Sequence, residues 1–481
     1  MFSDVIRITI ANILVLFCGF FREIVISSIY GTSIIADHFL IGYLLIEEFN
    51  SILFVGLVFS IIAYFKNIKD KNDVLKFTMK LLIYTLPISF FTFLLTFFYN
   101  DISHILISDK LYDENFSSIV RYSSFSFTLS IGSSIICSFL IFEKKYFIAL
   151  ISKLINYVIL ILLLIYNPDS NSGIFLGTSI SLSYFAQLIF LSFFFLDKKI
   201  SFKEILKFKI KIYHFLKFIF PWVLAPILMP FLGNGIGRYL ISGIDSGFVS
   251  SINYASKILN AVNTFTFSVI LVGFVDSINS SKNEATMKKT VKIGLMRIIF
   301  FTVPITIFCC LHSQEIISIL FERGSFDAVS TAKTAKAFYI FSLTLLPRVF
   351  WGYMSRIIGA NIGNKEFYLM ILVQFISYIF FMFFFIKNFD SSVMPIGQLF
   401  SYVICSIGIC IFFSRKFLSF SIFVNLFQSF AIGFLFLILN SVLSVFTLQI
   451  FTELLLSLFL LILLYGSFLF INKERRNAFI N

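Results

Sequence analysis

Long apolar segments separated by short polar connections run from one end of this chain to the other. The segments are about 20 residues long, which suits helices that cross the roughly 30 Å hydrocarbon core of a bilayer. The strands of an outer-membrane barrel would give shorter segments with alternating hydrophobicity. The pattern therefore predicts an all-α polytopic membrane protein with about 14 transmembrane helices.

The composition supports a lipid environment. Of the 481 residues, 59% are hydrophobic and only 13% are charged, and the mean hydropathy is +0.96. A soluble globule of this size would need more polar surface than this chain supplies. We expect most of the 69 phenylalanines to lie at lipid-facing and interhelical positions.

The chain has a net charge of +13, and its lysines and arginines are distributed unevenly among the connections between the apolar segments. If the N-terminus is cytoplasmic, basic residues are concentrated in the cytoplasmic loops and tail, for example in 198–211 and 473–476. The opposite loops hold only Lys110, Arg323 and Lys387. This asymmetry predicts that both termini are cytoplasmic, and it gives the basic loops a role in orientation rather than in binding nucleic acid.

An internal repeat relates the two halves of the chain. The segment 80–91 recurs at 297–308, 217 positions later, with a basic residue, a threonine and a proline in the same places. At nearly the same spacing, Gly19-Phe-Phe-Arg22 matches Gly235-Ile-Gly-Arg238. Each half would contain six spans, an even number, so the halves have the same orientation, as in transporters that bind substrate between two bundles. Chance similarity between phenylalanine-rich helices is the alternative, and the constant spacing argues against it.

The repeat predicts four parts. Residues 1–200 would form an N-terminal six-helix lobe, and residues 201–415 would form a C-terminal six-helix lobe. Residues 416–472 would add two helices outside the repeat, and residues 473–481 would form a basic cytoplasmic tail.

The seventh span is predicted to be kinked or broken because it contains Pro221, Pro226 and Pro230. Each proline lacks the backbone N–H that a helix needs and clashes with the preceding turn. Such a helix can bend during alternating access, although kinks that serve only packing are the alternative.

Charged residues within the spans are the candidate functional residues, because a charge at membrane depth costs about 2.5 to 3.5 kcal/mol. Arg22 and Arg238 are equivalent in the repeat, and we expect them to approach a common cavity together with Lys257. Several basic groups in one cavity predict an anionic, phosphorylated substrate, since guanidinium groups bind phosphate oxygens bidentately. The alternative is local neutralisation, for example of Arg22 by Glu23 or Asp37.

Acidic residues in the spans are candidates for ion coupling or gating, namely Glu23, Glu47 and Glu48. Because Glu47 and Glu48 are adjacent, they point about 100° apart on a helix, and at least one should face the cavity rather than lipid. Either residue would be able to carry a coupling proton or cation. Hydrogen bonding to neighbouring helices is the alternative.

Signals for catalysis are missing from the sequence. The four histidines show no ligand spacing, the six cysteines lie in apolar segments, and no GxxxxGK[ST] phosphate loop occurs. We therefore expect no enzyme, metal site, disulfide or cofactor. Energy for transport would come from Na⁺, H⁺ or the membrane potential.

Three stretches occur in an order that is typical of one transporter family. They are Gly19-Phe-Phe-Arg-Glu23 followed by Ala36-Asp-His-Phe39, then Ser250-Ser-Ile-Asn-Tyr-Ala-Ser-Lys257, and finally Leu320-Phe-Glu-Arg-Gly-Ser-Phe326. Together they resemble the MurJ (MviN) lipid flippases of the multidrug/oligosaccharidyl-lipid/polysaccharide (MOP) exporter superfamily. The likeness extends over roughly residues 10 to 415.

This resemblance implies fourteen helices in two lobes around a cationic cavity. The protein would export an undecaprenyl-pyrophosphate-linked sugar such as the peptidoglycan precursor lipid II across the bacterial inner membrane by alternating access. Its partners would be that polyprenyl-pyrophosphate-linked saccharide and membrane lipids, without nucleic acid, and we expect a monomer. The helices in 416–472 would hold the lipid tail. Arg22 would contact the pyrophosphate, Asp37 would gate or position it, and Lys257 would replace a family arginine.

Several positions depart from the family pattern. Leu16 and the pair Asn50-Ser51 stand where many members have arginines, and Gly237 stands where an aspartate often precedes Arg238. These departures leave open a flippase for lipid-linked repeat units of O-antigen or capsule. A cation-coupled drug exporter and a membrane polysaccharide polymerase or glycosyltransferase are two competing functions. The drug exporter should have an acidic cavity, and the polymerase or glycosyltransferase should have larger loops than this chain provides.

Overall fold

We describe the protein from a computed structural model. It describes residues 2–51, 61, 71–98, 106–109, 111–143, 145–167, 171–195, 202–208, 213, 215, 227–279, 284–361, 364–389, 392–417, 420–443 and 450–471. These residues are helical or lie in short turns, and no strand occurs among them. The predicted all-α class is thus confirmed. The predicted tail 473–481 lies outside the described residues.

The chain divides into two compact units. The first comprises Met1–Ser250 with Arg323–Phe326, and the second comprises Ser251–Glu322 with Asp327–Asn481. The helices of the first unit are α1 (Phe2–Tyr30), α2 (Ile34–Ser51), α3 (Lys71–Phe98), α4 (Glu114–Ser123), α5 (Phe125–Phe142), α6 (Tyr146–Tyr166), α7 (Gly173–Phe195), α8 (Phe202–Lys207), the π-helical segment Ile227–Gly233, α9 (Asn234–Ser242) and the start of α10 (Phe248–Asn279). The lobe boundaries predicted from the repeat remain a prediction.

The second unit is built from the rest of α10 and seven further described helices. These are α11 (Glu284–Leu311), α12 (Ser313–Phe321), α13 (Ala328–Asn361), α14 (Asn364–Phe389), α15 (Val393–Phe417), α16 (Phe420–Leu443) and α17 (Ile450–Ile471). Helix α13 packs on α11, α12 and α15, while α16 packs on α11 and α17. Buried apolar side chains of α11, α13, α16 and α17 form the core of this unit.

Seven helical segments among the described residues are long and apolar enough to cross a membrane. They are Asn72–Phe98, Glu114–Phe142, Phe147–Tyr166, Gly173–Phe195, Met287–Leu311, Glu366–Phe389 and Val393–Ile411. Phe384 and Phe427 are 68% and 76% exposed, as expected for side chains that face lipid. The fold is that of a multi-pass membrane protein, and the number of 14 spans remains a prediction.

Prolines lie inside helices at equivalent places of the repeat. Helices α3 and α11 are both 28 residues long, and they contain Pro87 and Pro304 respectively. Pro230 lies in the π-helical segment Ile227–Gly233, which leads directly into α9. The helix is thus π-helical around Pro230, and the predicted kink or break of this span stays a prediction. Pro221 and Pro226 lie outside the described residues.

Polar side chains connect the buried faces of α6 and α7. The Asn156 side-chain amide donates to the Ser183 hydroxyl over 3.1 Å, and the Gln187 amide donates to the Ser152 hydroxyl over 3.4 Å. All four residues are buried. Small residues let neighbouring helices approach closely, and hydrogen bonds between helices hold them in a membrane protein.

Gly177 lies where α7 closely approaches α4. A Cβ atom at this position would lie 2.8 Å from both the Ile119 carbonyl oxygen and the Tyr122 Cβ. Alanine has the higher helix propensity, by about 1 kcal/mol, but forcing an atom into this contact costs about 1–3 kcal/mol. We expect Gly177→Ala to lower the melting temperature of the purified protein. Gly408→Ala is the control, because nothing lies within 4 Å of its new Cβ, and it should not lower the melting temperature. An equal loss in both variants would contradict the packing argument.

Candidate functional site

Arg22 is a fully buried cation in the middle of the first unit. Its side chain is 1% exposed, and it donates hydrogen bonds to the Tyr43 hydroxyl and to the Glu23 carboxylate. Glu47 lies 3.7 Å from the same guanidinium group. Because α1 contributes Arg22 and Glu23 while α2 contributes Tyr43 and Glu47, the cluster joins the two helices.

Two tyrosine rings enclose the Arg22 guanidinium. Its central carbon lies 4.4 Å from the centre of the Tyr43 ring and 4.8 Å from the centre of the Tyr157 ring. Such cation–π contacts strengthen when water is excluded. Neither tyrosine was predicted from the sequence. Tyr43 had a signal, because it lies four residues before Glu47 and therefore on the same face of α2.

Arg238 occupies a more open position. Its guanidinium donates to one oxygen of the Glu48 carboxylate, and the Asn234 amide donates to the same oxygen over 3.2 Å. The side chains of Arg238 and Glu48 are 14% and 13% exposed. The two arginines that the repeat makes equivalent thus meet adjacent glutamates of α2.

The charges of this cluster balance among the side chains whose contacts the structure describes. Glu47 also interacts electrostatically with Lys153 on α6. The three basic groups and three acidic groups are Arg22, Lys153 and Arg238, and Glu23, Glu47 and Glu48. In this structure both arginines have carboxylate partners, as in the alternative of local neutralisation. Their contact with a phosphate remains a prediction.

Asp37 caps the start of α10. Its two carboxylate oxygens accept the backbone N–H groups of Gly247 and Ser250, over 2.6 and 2.7 Å. The first N–H groups of a helix lack partners within the helix, and they carry partial positive charge. The Asp37 carboxylate is fully buried, and its two contacts join residues 210 and 213 positions apart in sequence. It therefore holds α2 against the start of α10.

The motif Leu320-Phe-Glu-Arg-Gly-Ser-Phe326 contributes a turn to the first unit. The Ser325 N–H donates to the Ser28 carbonyl oxygen over 2.9 Å. Gly324 has φ +60°, and a side chain there would collide with that same carbonyl. The glycine of the motif is thus required by backbone conformation and by close approach to α1.

Lys257 lies in α10 within the second unit, and its side chain is half-buried. In the same unit, Arg348 donates to the Asn260 side chain over 3.1 Å. Over the portion of the chain that the structure describes, no three His, Cys, Asp or Glu side chains are grouped as metal ligands would be. The side chain of Asn50 lies outside the described part of the structure.

Comparison with protein families identifies one match over most of the chain. The model for the family described as "Lipid II flippase MurJ" matches residues 26–466. A curated protein named "Probable lipid II flippase MurJ", from Buchnera aphidicola subsp. Schizaphis graminum (strain Sg), is 24% identical over 368 residues. The alignment covers 72% of this chain and 70% of that protein. The resemblance inferred from the three motifs is confirmed.

Solved structures show the same fold. A lipid II flippase MurJ in an inward closed conformation has a TM-score of 0.82 at 20% identity, and the match covers 96% of this chain and 98% of the other. An inward-facing multidrug resistance MATE family transporter of the MOP superfamily has a TM-score of 0.65 at 14% identity, covering 92% of this chain and 100% of the other. The predicted fold is confirmed.

Proposed function

Because the chain belongs to the lipid II flippase MurJ family, we propose that it exports an undecaprenyl-pyrophosphate-linked sugar, with lipid II as the cargo. The family is one of flippases rather than enzymes, which agrees with the absence of catalytic signals in the sequence. Export would cross the bacterial inner membrane by alternating access, with both termini in the cytoplasm. The partners would be the lipid-linked saccharide and membrane lipids.

The observation that carries this proposal is the pair of equivalent arginines at adjacent residues of α2. Arg22 is 1% exposed and Arg238 is 14% exposed, so both guanidinium groups are kept in a mostly dehydrated place. A protein that only needed to stay folded in lipid would gain little from such charges. A pyrophosphate supplies the oxygen atoms that guanidinium groups bind best.

Each charged residue has a role in this proposal. Arg22, Arg238 and Lys257 contact phosphate oxygens, and Asp37 holds the gate formed by the start of α10. Glu23 fixes the position of Arg22, to which it is hydrogen-bonded. A pyrophosphate with about two negative charges is stabilised by roughly 4 to 5 kcal/mol when it moves outward across an inside-negative membrane potential of about 100 mV. The membrane potential therefore suffices as a driving force, with Na⁺ or H⁺ coupling as alternatives.

Complementation tests the cargo. The full-length protein would be expressed in a strain depleted of its own lipid II flippase, and growth and the accessibility of lipid II at the outer face would be measured. We expect growth and outer-face lipid II to be restored. An Arg238→Ala variant at equal abundance should restore neither, because the phosphate contact is lost. Wild-type protein that reaches the membrane but leaves lipid II inaccessible would overturn the lipid II assignment.

A flippase for O-antigen or capsule repeat units is the second candidate. The observation that favours it is a departure from the family's charge pattern, because Leu16 and Gly237 lack charges that many family members carry. Rescue of an O-antigen flippase mutant, together with failure to restore lipid II export, would establish this second cargo instead.

A further inference from the structure

The two equivalent arginines differ in how firmly they are held. Arg22 is enclosed by two tyrosine rings and bonded to the Tyr43 hydroxyl and to Glu23, a carboxylate with 0% exposure. A phosphate that contacts this guanidinium must first open these contacts, so Arg22 is the more firmly held of the two arginines.

The Arg238 pair is different because it is partly open. Arg238 and Glu48 are 14% and 13% exposed, and one guanidinium nitrogen meets one carboxylate oxygen. Guanidinium has five N–H donors in a planar fork, and carboxylate and phosphate oxygens fit the same fork. Glu48 holds one terminal nitrogen of that fork, so a phosphate that binds Arg238 through this nitrogen competes with Glu48.

The charge of the cluster makes this competition strong. With three basic and three acidic side chains it is close to neutral, so a pyrophosphate would add about two negative charges beside Glu48. Like charges placed next to each other in a dehydrated site repel strongly. Glu48 must leave Arg238 when the anion arrives, and its partial exposure gives the carboxylate a way out.

We infer that Glu48 is an internal competitor for the anion-binding site: it holds one terminal nitrogen of Arg238 in the empty transporter and is displaced by a pyrophosphate group. The inference rests on the proposed function, because it requires Arg238 to contact phosphate. Glu48 thereby determines the affinity for the anion. After the pyrophosphate is released, the Glu48 carboxylate returns to Arg238, so that the guanidinium is not left as an isolated charge.

Binding measurements on the purified full-length protein in nanodiscs test this inference, with undecaprenyl pyrophosphate as the probe. We expect Glu48→Gln to bind the probe at least about tenfold more tightly than wild type, which corresponds to 1.4 kcal/mol. Undecaprenol, which has the same tail without phosphate, should bind both proteins equally. Glu47→Gln is the matched neighbour, and it should change affinity much less because Arg22 stays bonded to Glu23 and Tyr43.

A double-mutant cycle shows whether Glu48 acts through Arg238. In an Arg238→Gln background, adding Glu48→Gln should lose most of its tightening effect. If Glu48→Gln does not fold, Glu48→Asp keeps the charge but shortens the reach, and it should bind several-fold more tightly than wild type. Unchanged or weaker binding in the Glu48 variants, while Arg238→Gln still loses the probe, would overturn the competitor role and leave the proposed function standing. Unchanged binding in Arg238→Gln would instead refute the phosphate contact itself.

Discussion

Replacing Arg22 with alanine is expected to destabilise the protein and to abolish export. The change leaves the Glu23 carboxylate, which has 0% exposure, without the guanidinium that neutralises it. Removing one partner of a buried ion pair costs about 3–5 kcal/mol. The variant should still insert into the membrane, but its melting temperature in detergent should fall well below that of wild type.

A second variant separates stability from transport. In Arg22→Ala/Glu23→Gln the orphaned charge is removed as well, so most of the lost thermal stability should return. Export of the lipid-linked sugar should remain absent, because the phosphate contact is still missing. Lys387→Ala is the control for loss of an exposed positive charge near a helix end, and it should behave like wild type. Normal export by the double variant would mean that Arg22 serves only to neutralise Glu23.

The two arginines of this cluster could be found from sequence because a charge in an apolar segment is costly wherever it occurs. Arg22 and Arg238 stood out for that reason, and the repeat related them without any structural information. The motif around Gly324 was also recognisable, and the structure gives its physical basis in a left-handed turn against Ser28. Patterns that reflect solvation or backbone conformation are local, so one sequence is enough to reveal them.

The partners of these charges could not be found in the same way. Arg238 meets Glu48 across 190 positions of sequence, and Asp37 meets Gly247 across 210. Helix periodicity says which residues share a face, but it does not say which helix that face meets. Sequence offered Glu23 and Asp37 equally as partners of Arg22, whereas the geometry assigns Glu23 to Arg22 and Asp37 to the start of α10.

Asparagine at position 37 is expected to loosen the start of α10. Asp37 supplies one acceptor oxygen to Gly247 and one to Ser250, and both contacts are buried. Asparagine has only one acceptor oxygen, so its amide group would face one of the two N–H donors. Leaving that donor unsatisfied costs about 1–3 kcal/mol, and the lost negative charge also weakens the interaction with the helix start.

Hydrogen exchange measures this effect directly, through a peptide that covers residues 243–252. Opening of the Gly247 and Ser250 amides should become roughly 5- to 150-fold more frequent in Asp37→Asn, which follows from that free-energy cost. Asp245→Asn is the matched control in the same segment. The exposed Asp245 carboxylate accepts the Ser246 N–H, which is neither of the two amides that Asp37 binds. It should leave exchange at both amides unchanged. Equally faster hydrogen exchange in both variants would mean that any change in this loop has the same effect. Faster exchange only in Asp37→Asn, together with slower export, would connect the buried cap to the transport cycle.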